Sequence, residues 1–332
     1  MYSEKVTICI PLYNCENTIA KTLDSLVNQS YENIKIKVFD NQSTDKSAEI
    51  VKKFVEKYTH VEYFYNEVNL GAEGNFTRCI QEAEGDFTAI FHSDDIYYQS
   101  MVEEQIRVLI NDSKIGAVAC HAQEINENDE VVGERYIPSI LKKEDLYVFE
   151  PNELRSFVCK YANFITCPSV MIRSSFLKNE IKIWNGDEYK SSADLDVWLR
   201  INKIFRFAFL NKPLMGYRLA QESFSYRIAK LRTYKHDLFL VLDTIENKTL
   251  NEVEDSYFLE FKDITLRIVN IIRSKKLDEE LPVFDYNWQI LFKKAFFSLW
   301  HMKFFIIGFI VYMMRPLLSK KVRSIYWKKI ER

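Results

Sequence analysis

The chain has 332 residues, 47% of them hydrophobic and 28% charged, with 24 Phe and 19 Tyr. That balance suits a globular protein with a full core and excludes disorder over most of the length. The net charge of -2 hides a basic end: Trp288 to Arg332 holds ten Lys or Arg (293, 294, 303, 315, 320, 321, 323, 328, 329, 332) and one acid, Glu331. The six cysteines (9, 15, 79, 120, 159, 167) form no CxxC pair, so they point to a reducing compartment and away from a thiolate metal site. The apolar run before Pro11 is too short for a signal-peptide core, which puts the expected location in the cytosol or on the cytosolic face of a membrane.

"VTICI" (6–10) is a short buried strand, followed by Ile19, Leu23, Leu26 and Val27 at helical spacing. "IKIKVF" (34–39) alternates as a strand, and Ala48, Val51, Phe54, Val55 and Tyr58 mark a second helix. "VEYFY" (61–65) is a third strand, Phe76, Cys79, Ile80 and Ala83 a third helix, and "FTAIF" (87–91) a fourth strand. A helix through Val102, Ile106, Leu109 and Ile110 leads to the strand "IGAVAC" (115–120). Strand and helix alternating in this way predict a mostly parallel sheet covered on both faces.

Ligands of such sheets bind beyond the carboxyl ends of the strands. The segments expected there are "PLYNCEN", "DNQSTDKS", "NEVNLGAEGN" and "HSDD", all rich in Asp, Asn and Ser. After Ala122 the pattern loosens into a polar turn (126–129), a helix near 151–161 and an apolar strand "CPSVMI". "SSADLDVWLRINKIF" (191–205) reads as an acidic loop feeding a helix, and "RFAFLNKPLMGYRLA" as strand and turn. From about Tyr226 the chain reads as helical, so the predicted division is 1–225 and 226–332.

Three acidic groups can carry chemistry. Asp94 and Asp95 repel one another at a strand end; they are either caps for the next turn or part of a Mg or Mn site. Asp40 ends another apolar strand, where it can cap or accept from the N–H edge of a base. Asp194 and Asp196 open a helix, either as favourable charges at its N-terminus or with one of them as a general base.

The order of these pieces resembles family 2 glycosyltransferases of the GT-A fold, from about Lys5 to Ser225. The resemblance rests on "VTICIPLYNCENTIAKTLDSLVNQSYENIKIKVFDNQSTDKS", "NLGAEGNFTRCIQEAEGDFTAIFHSDD", "SADLDVWLRI" and "KPLMGYRLAQESFS". It implies a GT-A, Rossmann-like α/β domain that binds a nucleotide-diphosphate sugar, with UDP the expected carrier, and Mn2+ or Mg2+ as cofactor. Pro11 and Tyr13 would line the base pocket, Asp40 would read the ring, and Gly71 and Arg78 would help enclose the nucleotide. Asp94 would lie beside the ribose and diphosphate, Asp95 would bind the metal, and Asp194 would be the catalytic base of an inverting transfer. Two positions depart from the family pattern: His92 stands for the first Asp of a longer acidic run, and Ala220 for the His of "YRxHxxS".

The expected acceptor is a hydroxyl of a glycan or of a polyprenyl-linked oligosaccharide. Competing readings are a nucleotidyltransferase, disfavoured because the N-terminal part has no glycine-rich basic phosphate loop, and a non-catalytic relative that binds nucleotide or glycan. The uninterrupted apolar run Phe304–Met314 falls short of the ~20 residues that span a bilayer. With Lys294, Ser298, His301, Gly308, Tyr312 and Arg315 near one helical face, the segment from about 288 to 332 is expected to lie on an anionic membrane surface. Contiguous aliphatics among the charges argue against nucleic acid as a partner.

Overall fold

The computed structural model describes residues 3–219, 232–274 and 280–314. The chain forms two compact units: Met1–Arg155 with Asn163–Ala220, and Ser156–Ala162 with Gln221–Arg332.

In the first unit the described residues build a ten-stranded mixed sheet flanked by helices. Its strands are β1 (Val6–Leu12), β2 (Ile34–Asp40), β3 (Val61–Tyr65), β4 (Phe87–Ile90), β5 (Ile96–Tyr97), β6 (Ile115–Ile125), β7 (Val131–Glu134), β8 (Leu146–Phe149), β9 (Val170–Arg173) and β10 (Arg206–Arg218). The main path runs β3-β2-β1-β4-β9-β6-β10-β5, with β7 beside β6 and β8 beside β10. The first four strands on this path are parallel, as the alternation with α1 (Ile19–Val27), α2 (Ser47–Lys57) and α3 (Gly71–Gln81) requires. Beyond β4 the sheet turns mixed, because β9 enters antiparallel to both β4 and β6.

β1 is apolar apart from Thr7 because both of its faces are covered. Val6, Ile8 and Ile10 join a core with Leu23 and Leu26 of α1 and with Ile106 and Leu109 of α4 (Met101–Asn111). On the other face Cys9 meets Cys79 of α3. The pairing of Leu12 with Asp40, and of Cys9 with Ile90, brings the carboxyl ends of β1, β2 and β4 to one edge.

Two expectations need correction. "CPSVMI" is not all strand: Pro168 opens a short 3-10 turn at Cys167–Ser169, and β9 starts at Val170. "RFAFLNKPLMGYR" is one long strand that runs on past Pro213, where the register against β6 shifts because proline cannot donate to the ladder.

The described residues of the second unit are mainly helical. The longest helix among them, Leu250–Arg273, opens on a capping box in which Thr249 and Glu252 satisfy each other's backbone N–H. Helices Trp288–Ala295 and Leu299–Met314 pack with it through Phe258, Phe261, Leu291 and Phe305. His301 and Gly308, which share one helical face, are buried. A Cβ on Gly308 would collide with the Phe261 ring, so the small residue is what lets the two helices close up. The outer side stays apolar and exposed, at Leu299, Ile306, Ile310 and Met313 among others. Among the described residues no helix is long and apolar enough to cross a membrane. Of the basic residues, Lys293 and Lys294 pair with Glu254 and Asp255, Lys303 is exposed, and those from Arg315 onward lie outside the described residues.

Candidate active site

The loops after β1 and β2 are tied to each other. Asn14 and Cys15 donate their N–H groups to the hydroxyls of Ser43 and Ser47, and Glu16 N–H to Asp45. In return Thr44 and Lys46 donate theirs to the side chains of Asn14 and Glu16. Ser43, Asp45 and Ser47 therefore hold the neighbouring loop.

A second network holds the loop before α3. Asn41 donates to Asn69 and to the Gly71 carbonyl, while its own carbonyl oxygen accepts from Asn66 and from the Leu70 N–H. Asn66 also reaches Asn75, whose amide donates to the Phe39 carbonyl. Gly71 has φ +73°, a left-handed conformation that glycine adopts without strain. Between these loops and the turn after β4 lies a cleft of about 380 Å³, lined by Pro11, Tyr13, Asn41, Gly71, Phe76 and Asp94 among others. A concavity of about 410 Å³ at the amino ends of β1 and β4 lies far from this chemistry.

The turn His92–Asp95 is fixed through every one of its carbonyls. Tyr97 Oη donates to His92 O, Thr18 and Thr22 to Ser93 O, Arg218 Nε to Asp94 O, and Thr22 also to Asp95 O. Asp95 is buried, and its Oδ1 accepts the Arg218 N–H at 2.8 Å. The Arg218 guanidinium continues to Asn126 O and to Asp129 Oδ1, which lies 2.6 Å away on the β6–β7 turn.

His92, Asp94 and Asp95 offer ligand atoms within 4.8 Å of one another. Burial, and then the charge of Asp94, hold the Asp95 carboxyl well above the usual carboxylate range, against the pull of Arg218. Asp95 Oδ2 is buried without a hydrogen-bond partner among the described residues. A buried orphan oxygen beside a second carboxylate and an imidazole fits a divalent cation.

Asp194 stands in the first turn of helix Ala193–Ile204. Burial raises its pKa to about 6, although Leu195 N–H and Asn163 Nδ2 favour the ionised form. Asp196 is held differently: Arg200 binds it at 2.7 Å and Asn185 donates to it, which makes it a structural ion pair. Asp194 and Asp95 both raise the pKa of the Cys167 thiol, after the larger effect of its burial, so the two carboxylates bear on one locality.

The structure thus brings Pro11, Tyr13, Gly71 and Asp94 to the cleft wall, with Asp95 behind Asp94. Asp40 is fully buried, accepting from Ser43 N–H and Tyr63 Oη, and its neighbour Asn41 faces the cleft instead. Arg78 does not line the cleft; its guanidinium lies over the Phe39 ring and donates to Asn66. Ala220 lies outside the described residues. Sequence reasoning gave no role to Arg218 or to the asparagine network. Arg218 stood inside the quoted "GYRLA", two residues before the position of the missing histidine, and that neighbourhood was its only signal.

Over 235 residues the chain is 26% identical to an uncharacterized glycosyltransferase of Methanocaldococcus jannaschii, covering 70% of this chain and 77% of that one. Among solved structures it resembles S. aureus TarS in complex with UDP (TM-score 0.57, 17% identity, covering 98% of this chain and 92% of that one). It also resembles a mannosyltransferase from Pyrobaculum calidifontis in complex with GDP-Man and Mn2+ (TM-score 0.59, 15% identity, covering 93% and 87%). The model of glycosyl transferase family 2 matches residues 7–178, more than half of the chain, and the protein therefore belongs to that family and is a glycosyltransferase.

Proposed function

We propose that the protein transfers a sugar from a nucleotide diphosphate, UDP in the first instance, to an acceptor hydroxyl with inversion at the anomeric carbon. The observation that carries this reading is the His92, Asp94 and Asp95 cluster beside a cleft walled by Pro11, Tyr13 and Gly71. Pro11 and Tyr13 flank the base and Gly71 bounds the nucleotide, with Arg78 acting through Asn66. Asp40 keeps a second lone pair on each oxygen, with which it would accept a ring N–H of the base. Asp94 and Asp95, with His92 beside them, would hold Mn2+ or Mg2+, which when bound stabilises negative charge on the departing diphosphate. Asp194 takes the proton of the attacking hydroxyl at its carboxylate oxygen, and Asn163 orients it.

The acceptor in this reading is a glycan or polyprenyl-linked oligosaccharide, reached at a membrane surface. The exposed apolar side of Leu299–Met314, together with the basic sequence beyond it, supports peripheral attachment of the second unit to anionic lipid. The primary test is thermal stability with UDP, GDP, dTDP, CDP and ADP, with and without Mn2+ or Mg2+, alongside Asp95→Ala. Stabilisation by UDP plus metal, lost in the variant, is expected; no response to any nucleotide would sink the donor assignment. For the membrane, full-length protein should sediment with anionic vesicles, and Leu299→Glu with Ile310→Glu should leave it in the supernatant. Equal sedimentation of the two proteins would remove this surface from the account.

A further inference from the structure

The turn that presents the acidic pair also presents an imidazole with no ordinary partner. His92 Nδ1 lies 3.7 Å from Asp95 Oδ2, too far for a hydrogen bond. His92 Nε2 and Asp95 Oδ2 are both buried without a hydrogen-bond partner among the described residues. Asp95, 1% exposed, faces His92 with an oxygen that nothing else uses. Two atoms bound to one dication stand up to about 4 to 5 Å apart, so this gap suits a shared third atom better than a direct contact.

The ring is also held in place. Phe76 meets it edge to face at 5.8 Å between centroids and is itself stacked on Trp184 at 4.6 Å. Tyr97 Oη anchors the His92 carbonyl. Ligand chemistry then separates the candidate ions. Mg2+ prefers oxygen donors and keeps its waters, whereas an imidazole nitrogen favours first-row transition metals.

We infer that His92 is a nitrogen ligand of the cation site, and that the site therefore selects a transition-metal dication such as Mn2+ over Mg2+. This rests on the metal-assisted reading above and adds to it a ligand and a selectivity.

The test needs no turnover. Mn2+ is added to the full chain, alone and with UDP, and electron spin echo modulation is recorded on natural-abundance and on uniformly 15N-labelled protein. The expected result is a 14N modulation that becomes a 15N modulation on labelling and is absent in His92→Asp. The labelling separates protein nitrogen from the nitrogens of the base. Competition between Mn2+ and Mg2+ should shift by about 10-fold or more towards Mg2+ in His92→Asp. Bound Mn2+ without protein nitrogen modulation, or an unchanged competition, overturns the role of His92 and leaves the metal-assisted reading standing. Failure of the wild-type chain to bind Mn2+ in either condition overturns both. The isotope comparison uses wild-type protein alone, so it decides the matter even where the variant does not fold.

Discussion

The backbone N–H of Arg218, on the last strand of the sheet, donates to Asp95 Oδ1 at 2.8 Å. The side chain of the same residue grips the Asp94 carbonyl and, through Asp129, the turn between β6 and β7. Arg218 is thus a positioning residue for both aspartates. Arg218→Lys preserves the main-chain bond but not the fork, so Mn2+ affinity is expected to fall about 10- to 100-fold. In Arg218→Ala the pairing with Asp129 is gone as well, and folding stability should drop by about 3 kcal/mol or more. Metal titration and chemical denaturation measure the two effects separately, and unchanged metal affinity in the lysine variant would refute the positioning role.

As the proposed base, Asp194 should set an acid limb. With a pKa of about 6 it holds its proton below that pH, so transfer should fall as pH drops through 6. Asn163→Ala deletes a bond to the ionised form, and the limb should move to higher pH. The stability sign is the opposite of a salt-bridged acid's. The folded pKa lies above the unfolded one, so the folded state binds the proton more tightly and loses stability as pH rises from about 4 to 6. Asp194→Asn should remove its share of that slope, Asp95 still contributing, and reduce transfer by about 10² to 10⁴ while leaving nucleotide binding intact. Rate profiles and melting curves across this range check both.

Asn66 ties three side chains together at the base of the α3 loop. Asn66→Leu leaves Asn41, Asn75 and the Arg78 guanidinium each short of a partner. We expect a stability loss of about 2 to 4 kcal/mol and a donor KM raised more than kcat is lowered, because the loop bounds the cleft without touching the reacting atoms. Denaturant midpoints and donor saturation curves give the comparison.

Gly308 carries the prediction for the second unit. Gly308→Val places a branched side chain against Phe261 and Thr265, and should cost about 1 to 3 kcal/mol or more. Hydrogen exchange should rise across Leu299–Met314, with exchange in β1 to β4 unchanged.

The parallel half of the sheet was legible because β1 and β4 read as short, mostly apolar runs and β2 as an alternating one, each ended by a polar loop. Pro11, Tyr13, Gly71 and Asp94 were legible for the same reason, since the topology forces those loops to one edge. Choosing between Asp194 and Asp196 was not possible from spacing, because the difference lies in Arg200, which pairs with only one of them. Arg218 was hidden more deeply: it comes to the acidic pair by strand pairing across long sequence separation, and no local pattern encodes that. On Leu299–Met314 the wide apolar surface was legible, but the burial of Gly308 was not, because it depends on the Phe261 ring of another helix.

The family match ends at residue 178, yet the residue that clamps the acidic pair is Arg218. On the ribosome, the aspartates leave the tunnel well before their clamp exists, and β10 must pair with β5 and β6 before Arg218 can reach them. Closing the sheet and clamping the acidic pair are therefore a single event in biogenesis. A nascent chain stalled short of β10 carries its acidic pair without the backbone donor and the guanidinium that offset it, and so leaves the acquisition of activity to the last strand to arrive.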